Sequence, residues 1–252
     1  MKYKKMKYKM ITFSDSVKKK VYANEDFNDI YASSSFFIRF YAYLPLIHSL
    51  RQGSFTKSTT VLDLGCADGP FLPTLNYFSE RNIGVEINLQ HLSIAKNLCQ
   101  NSPIKLRKTT LLNSDAMNLP FKDKSFDLIF CLEVLEHVND TYIAIKEMYR
   151  VLKKSGILIC SLPIEIGFSL LIRTILGKLL HFRRPSYSLR ELINSIILKK
   201  PEMRLQGMDH KNFDWRTVHF QIRSIFQVSS VKFTPLNALK NFNPIVIIKA
   251  VK

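Results

Sequence analysis

Along the middle of the chain, short apolar runs alternate with stretches whose apolar residues return every three to four positions. That is the pattern of strands buried on both faces alternating with amphipathic helices. The run 61–64 predicts a first strand, with a helix over about 71–78 behind it. A second strand is expected at 82–87, a helix at 89–100, a third strand at 111–116 and a fourth at 125–131. The next helix spans about 140–153: Asn139 or Asp140 can cap it, Lys153 and Lys154 suit its C-terminal dipole, and Gly156 can stop it. Strand five then covers 157–162, and a helix over 214–226 leads into two Val- and Ile-rich segments at 226–233 and 244–251. Such alternation winds a parallel sheet with helices on both faces, and 252 residues suffice for one such core.

In open α/β sheets the ligand sits beyond the carboxyl ends of the strands, at a strand-to-helix turn. The first such turn here belongs to the run Val61-Leu62-Asp63-Leu64-Gly65-Cys66-Ala67-Asp68-Gly69. Two glycines four residues apart let the backbone bend and approach a ligand with no Cβ in the way. A dinucleotide site would need the spacing G-x-G-x-x-G, but from Gly65 the third and sixth positions are Ala67 and Pro70. Asp63 and Asp68 make the loop acidic, so it repels phosphate and favours a cation. Two further strands close on acids: Glu86 stands 23 residues after Asp63, and Asp115 follows the third strand. A carboxylate at a strand tip can accept two adjacent ribose hydroxyls, each charge-assisted bond contributing about 1.5–3 kcal/mol. Asp115 also suits an ordinary Asx turn.

These residues resemble the class I S-adenosylmethionine-dependent methyltransferases, and within them the methyltransferase type 11 group. The first motif of that family, acid-x-Gly-x-Gly-x-Gly, stands here as Asp63-Leu64-Gly65-Cys66-Ala67-Asp68-Gly69, with Ala67 in place of the middle glycine. An alanine adds one methyl group and is tolerable if the backbone needs no positive φ there. The resemblance covers about residues 58–163 and implies a Rossmann-like, doubly wound, seven-stranded sheet whose last strand is antiparallel. It also implies S-adenosyl-L-methionine as cofactor. By that resemblance Asp63, Gly65, Ala67 and Gly69 form the cofactor loop, and Glu86 with Ile87 meets the ribose. Asp115 and Ala116 meet the adenine, and Cys131, Leu132 and Glu133 wall the methionine part. Methyl transfer from a sulfonium is an in-line displacement that needs positioning more than a strong base. A hydroxyl acceptor would still gain from a histidine, with His137 the first choice and His210 the second.

Charge divides unevenly. Residues 1–57, 58–164 and 165–252 carry net charges of +7, 0 and +10, which make up the total of +17. The cofactor segment is thus neutral and the flanks are basic, which suggests an anionic acceptor or contact with an anionic membrane surface, unless the lysines are merely compositional. Residues 1–57 are expected to form a basic arm and capping helices, and 58–252 the methyltransferase domain. Within the latter, 164–212 is expected as a substrate-side insertion or lid. Eight lysines in residues 1–20 without an apolar core read as a solvated arm and not a signal peptide. The aromatic stretch 36–50 suits either a cofactor cap lined by Tyr31 and Phe36 or plain packing. The stretch 164–185 is interrupted by Glu165, Arg173 and Lys178, too often for a membrane span, but an interfacial amphipathic helix or a core helix would fit it.

Four cysteines, at 66, 99, 131 and 160, have no C-x-x-C spacing, as expected for reduced thiols in the cytoplasm, and neither they nor the six histidines predict a metal site. The expected function is methyl transfer to a small-molecule, lipid or glycan-precursor acceptor. Nucleic acid, RNA in particular, is a second acceptor class. The end of strand four, Cys-Leu-Glu-Val, lacks the Pro-Pro-aromatic motif of amino-methylating nucleic-acid enzymes, and the Pro-Cys dipeptide of cytosine C5 enzymes is also missing. A non-catalytic S-adenosylmethionine-binding protein is the third reading.

Overall fold

The structure, a computed structural model, describes residues 9–22, 36–56, 58–179, 187–197, 213–239 and 242–252. Its centre is a seven-stranded sheet in the order β3-β2-β1-β4-β5-β7-β6. The strands are β1 Thr60–Leu64, β2 Arg81–Glu86, β3 Thr109–Asn113, β4 Phe126–Leu132, β5 Leu152–Pro163, β6 Gln227–Thr234 and β7 Ile245–Val251. β1 to β5 pair in parallel, while β7 lies antiparallel between β5 and β6. Six strands therefore point one way and β7 runs against them. The chain winds outward from β1 to β3 and returns to lay β4 on the other side of β1. That reversal opens a crevice at the carboxyl ends of β1 and β4, where open sheets take their ligands.

Helices cover both faces. On one, α5 (Thr141–Val151) and α8 (Trp215–Ile225) pack Ile145, Met148, Val218 and Ile222 against Leu62, Leu64, Ile129 and Cys131. On the other, α2 (Phe36–Leu50) and α3 (Leu72–Phe78) pack Leu46, Leu50, Phe71 and Leu75 against Val61, Leu128 and Phe130. Helix α1 (Asp15–Tyr22) lies on α4 (Leu89–Asn101), and α6 (Phe168–Leu179) and α7 (Leu189–Ile196) follow β5. Caps agree with the sequence: the Asp140 carboxylate accepts from Tyr142 N and Ile143 N, and Asn88 likewise opens α4.

Three local expectations change. Helix α5 ends at Val151, and Lys153 and Lys154 belong to β5 instead of the last helical turn. Leu152 is already extended, and Lys153 Nζ reaches both oxygens of Asp127 at 2.9 Å, so the ion pair holds the chain against β4. The helix therefore stops before Gly156, and the left-handed residue is Ser155, φ +64, within β5. Helix α2 buries Leu44, Leu46 and Leu50 in the core while Phe40 is exposed, so packing accounts for its inner face; Tyr31 and the side chain of Phe36 lie outside what the structure describes. The basic start is also not wholly a solvated arm. Phe13, Val17 and Val21 are buried against Ile94 and Leu98, and Lys18 is 7% exposed with its ammonium donating to Tyr43 Oη at 3.1 Å. No described helix is long and apolar enough to cross a membrane.

Candidate functional site

The crevice at the switch point holds a cavity of about 550 Å³, within the range of small-molecule sites. Four strand ends build its wall. Leu64, Gly65 and Ala67 come from β1 and its loop, and Val85, Glu86, Ile87 and Asn88 from the end of β2. Ser114, Asp115, Ala116 and Met117 follow β3; Glu133, Val134, His137, Val138 and Asn139 follow β4; His91 comes from α4. Among the described residues the wall carries three carboxylates and neither lysine nor arginine. A cation is favoured there and a phosphate is not.

The loop after β1 is shaped by its neighbours. Gly65 N and Cys66 N both donate to Val85 O, at 2.8 and 2.9 Å, which ties the loop to β2. Gly65 has φ +72, and a Cβ there would run into the Val134 side chain; Gly69 has φ +76. Only glycine meets both demands. Ala67 has φ +46, so the condition under which an alanine costs nothing at this position is not met. The alanine is held in the left-handed region at a cost of about 1–2 kcal/mol. What holds it is Glu86: Ala67 N donates to Glu86 Oε2 at 3.0 Å, and Asn88 N donates to Oε1 at 2.8 Å. Each carboxylate oxygen thus accepts one backbone N–H and retains lone-pair capacity for a ligand hydroxyl.

Beneath the loop, Asp63 is 4% exposed, and its Oδ2 has no hydrogen-bond partner among the described residues. Burial, and then the nearby Glu86 carboxylate, push its pKa up to about 7. An orphaned buried carboxyl under an acidic cavity fits a ligand carrying a positive charge. After β3, Asp115 Oδ1 accepts from Met117 N at 2.8 Å, so the Asx turn forms while the residue still faces the cavity. Its loop is braced from α5: Leu119 N donates to Glu147 Oε2, and Arg150 donates to the carbonyls of Leu119 and Phe121. At the end of β4, Glu133 adopts φ +56, and Ser161 Oγ donates to its Oε1 at 2.8 Å.

The residues singled out from the sequence therefore divide. Gly65, Ala67, Glu86, Ile87, Asp115, Ala116, Glu133 and His137 line the cavity together. Asp63, Gly69, Cys131 and Leu132 do not. Cys131 is wholly buried in the core, and its neighbour on β5 is Cys160, so its side chain packs under the wall and does not form it. His210 lies outside the described residues. Sequence reasoning missed His91, Met117, Val134 and Asn139; the one available signal was that first turns of helices after strand tips face the crevice. Among the described residues no group of His, Cys, Asp and Glu is arranged to hold a metal ion.

Residues 62–160 match the family described as methyltransferase domain. An uncharacterized protein of Methanocaldococcus jannaschii is 39% identical over 104 residues, 41% of this chain and 40% of that one. Demethylmenaquinone methyltransferase of Oceanobacillus iheyensis is 32% identical over 153 residues, 56% of this chain and 63% of that one. The chain thus spans between two fifths and two thirds of these relatives' length. Among solved structures, a SAM-dependent methyltransferase from Methanosarcina mazei superposes with a TM-score of 0.57 at 20% identity, covering 82% of this chain and 97% of that one. The acids near the strand tips, the glycine turn at the switch point and the matched segment agree: residues 62–160 are similar to the methyltransferase-domain family, and the sheet has the fold of the Methanosarcina SAM-dependent methyltransferase.

Proposed function

We propose that the protein transfers a methyl group from S-adenosyl-L-methionine to a small, largely apolar acceptor of lipid or quinone type. The observation that carries this reading is the crevice at the switch point, where the described wall holds Glu86, Asp115 and Glu133 and no lysine or arginine. When bound, the cofactor supplies a methyl group already activated on a sulfonium. In this reading Glu86 accepts the ribose hydroxyls and Ile87 packs beside them. Asp115 accepts from the adenine amino group, and the Ala116 amide faces the ring. Asp63, with its unused oxygen under the loop, balances the positive end of the ligand. Val134 and Val138 exclude water from the transfer point, and His137, exposed at the cavity wall, takes a proton when the acceptor is a hydroxyl.

Support for the acceptor class comes from the flank that follows β5. Phe168, Leu171 and Ile175 on α6 and Leu189, Ile193 and Ile197 on and beside α7 are each at least 36% exposed. An apolar face on a segment with net charge +10 suits a lipid-bound substrate at an anionic membrane surface. The name of the Oceanobacillus relative points to a quinone ring as the acceptor. A cytoplasmic enzyme with peripheral membrane contact is the corresponding location.

The test is transfer of labelled methyl from S-adenosylmethionine to a lipid extract, paired with flotation on anionic and neutral vesicles. Label in the apolar fraction and binding to anionic vesicles that weakens with salt are expected. Label in RNA, with a steep salt slope for RNA alone, would replace the acceptor by nucleic acid. Binding of the cofactor with no label in any fraction would reduce the protein to a binding module.

A further inference from the structure

Asp68 was read from the sequence as a charge that makes the glycine loop acidic; its surroundings give it a different task. Its carboxylate is 4% exposed, and each oxygen accepts from a side chain on another element. Tyr22 Oη, at the end of α1, donates to Oδ2 at 2.9 Å, and His91 Nδ1, in the first turn of α4, lies 2.7 Å from Oδ1. With Nδ1 committed to Asp68, the His91 ring is fixed in orientation, and that ring lines the cavity. One buried carboxylate therefore joins the N-terminal helix, the glycine loop and the cavity wall.

The N-terminal segment is tied down on both sides of this junction. Ile11 N donates to Thr74 Oγ1 at 2.9 Å, and Thr74 Oγ1 donates to Ile11 O at 2.8 Å, on the helix that leaves the glycine loop. Phe13, Val17 and Val21 pack on Ile94 and Leu98 of α4, the helix that leaves Glu86. An eight-residue helix is not stable alone in water, so the order of α1 depends on the surface it docks to. That surface consists of α3, α4 and the glycine loop, and of these the loop and α4 contribute Gly65, Ala67 and His91 to the cavity wall.

We infer that Tyr22, Asp68 and His91 are one positioning unit that couples docking of α1 to cofactor binding. It rests on the reading of the cavity as the S-adenosylmethionine site. Tyr22 and Asp68 act through His91 and the loop, not on the ligand. Coupling of this kind is reciprocal: a docked α1 tightens the site, and a filled site holds α1. Lys19 and Lys20 are exposed on α1, so tryptic cleavage there reports its docking.

The experiment titrates S-adenosylmethionine by calorimetry into the full chain, Tyr22→Phe, His91→Gln and the double variant, and times tryptic cleavage in α1 with and without cofactor. Expected are a loss of about fivefold or more in affinity for each single variant and a double variant little worse than either. Cofactor should slow cleavage in the unaltered chain and lose that protection in Tyr22→Phe. An unaltered chain that binds no cofactor would overturn the methyltransferase reading itself. An unaltered chain that binds, alongside a Tyr22→Phe variant with equal affinity and equal protection, would overturn the positioning unit alone. Fully additive losses would also overturn it, because they would mean that Tyr22 and His91 act separately.

Discussion

Two regions of the molecule, the wall of the crevice and the flank after β5, solve different problems. On the side of β1, β2 and β3, charges are spent on the protein's own backbone: Glu86 holds Ala67 N and Asn88 N, Asp115 holds Met117 N, and Glu147 with Arg150 holds the loop beyond it. On and beside α6 and α7, Phe168, Leu171, Ile175, Leu189, Ile193 and Ile197 are exposed, and residues 165–252 are strongly basic. The first side is built before a ligand arrives, and its polar groups fix one shape. The second offers area without direction, which suits an acceptor chosen by shape and surface. Under the proposed function, the difference assigns the donor to preorganised polar geometry and the acceptor to the apolar, basic flank.

The largest effect should come from breaking the preorganised side at Gly65. Gly65→Ala forces a side chain into left-handed backbone and into Val134, an expected loss of about 2–4 kcal/mol in a denaturant titration. Cofactor affinity should fall by more than tenfold, whereas equal perturbations at the exposed Ile193 should leave it unchanged.

A smaller effect is expected from pH. Asp63 in the folded protein has its pKa raised from 3.8 to about 7, so between those values the folded state holds the extra proton. Stability of the ligand-free protein should therefore fall as pH rises from about 4 to 7, and Asp63→Asn should remove that fall. A cationic ligand favours the ionised form, so its affinity should weaken by up to about tenfold from pH 8 to pH 6, one pKa unit being 1.36 kcal/mol. A flat affinity profile in the unaltered chain would remove Asp63 from the site.

The smallest change is Ala67→Gly. Relief of about 1–2 kcal/mol of left-handed strain is offset by about 0.4–1 kcal/mol of added freedom in the unfolded chain. A net gain of about 0.5 kcal/mol by thermal unfolding is expected, and a loss would mean that the alanine methyl packs usefully against the ligand-free loop.

Much of the fold was legible because β1, β2, β4 and the second half of β5 are buried on both faces and so read as largely apolar runs between helical stretches. The strand-tip acids were legible for the same reason, since an acid closing an apolar run stands out against it. What escaped needed distant partners. The ion pair of Lys153 with Asp127 converts an expected helix end into a strand start, from 26 residues away. The φ of Ala67 is imposed by Glu86, and the task of Asp68 by Tyr22 and His91; none of these pairings has a local signal. Cys131 was misplaced because strand alternation alone does not say which face is wall and which is core.

The central claim is that Glu86 both shapes the loop and receives the cofactor. It is tested most directly by calorimetric titration of S-adenosylmethionine into the unaltered chain and into Glu86→Ala at pH 8. The account predicts saturable binding to the former and an affinity about tenfold to a hundredfold weaker in the variant, from the loss of charge-assisted hydrogen bonds. Equal affinities, or no binding heat in the unaltered chain, would contradict it.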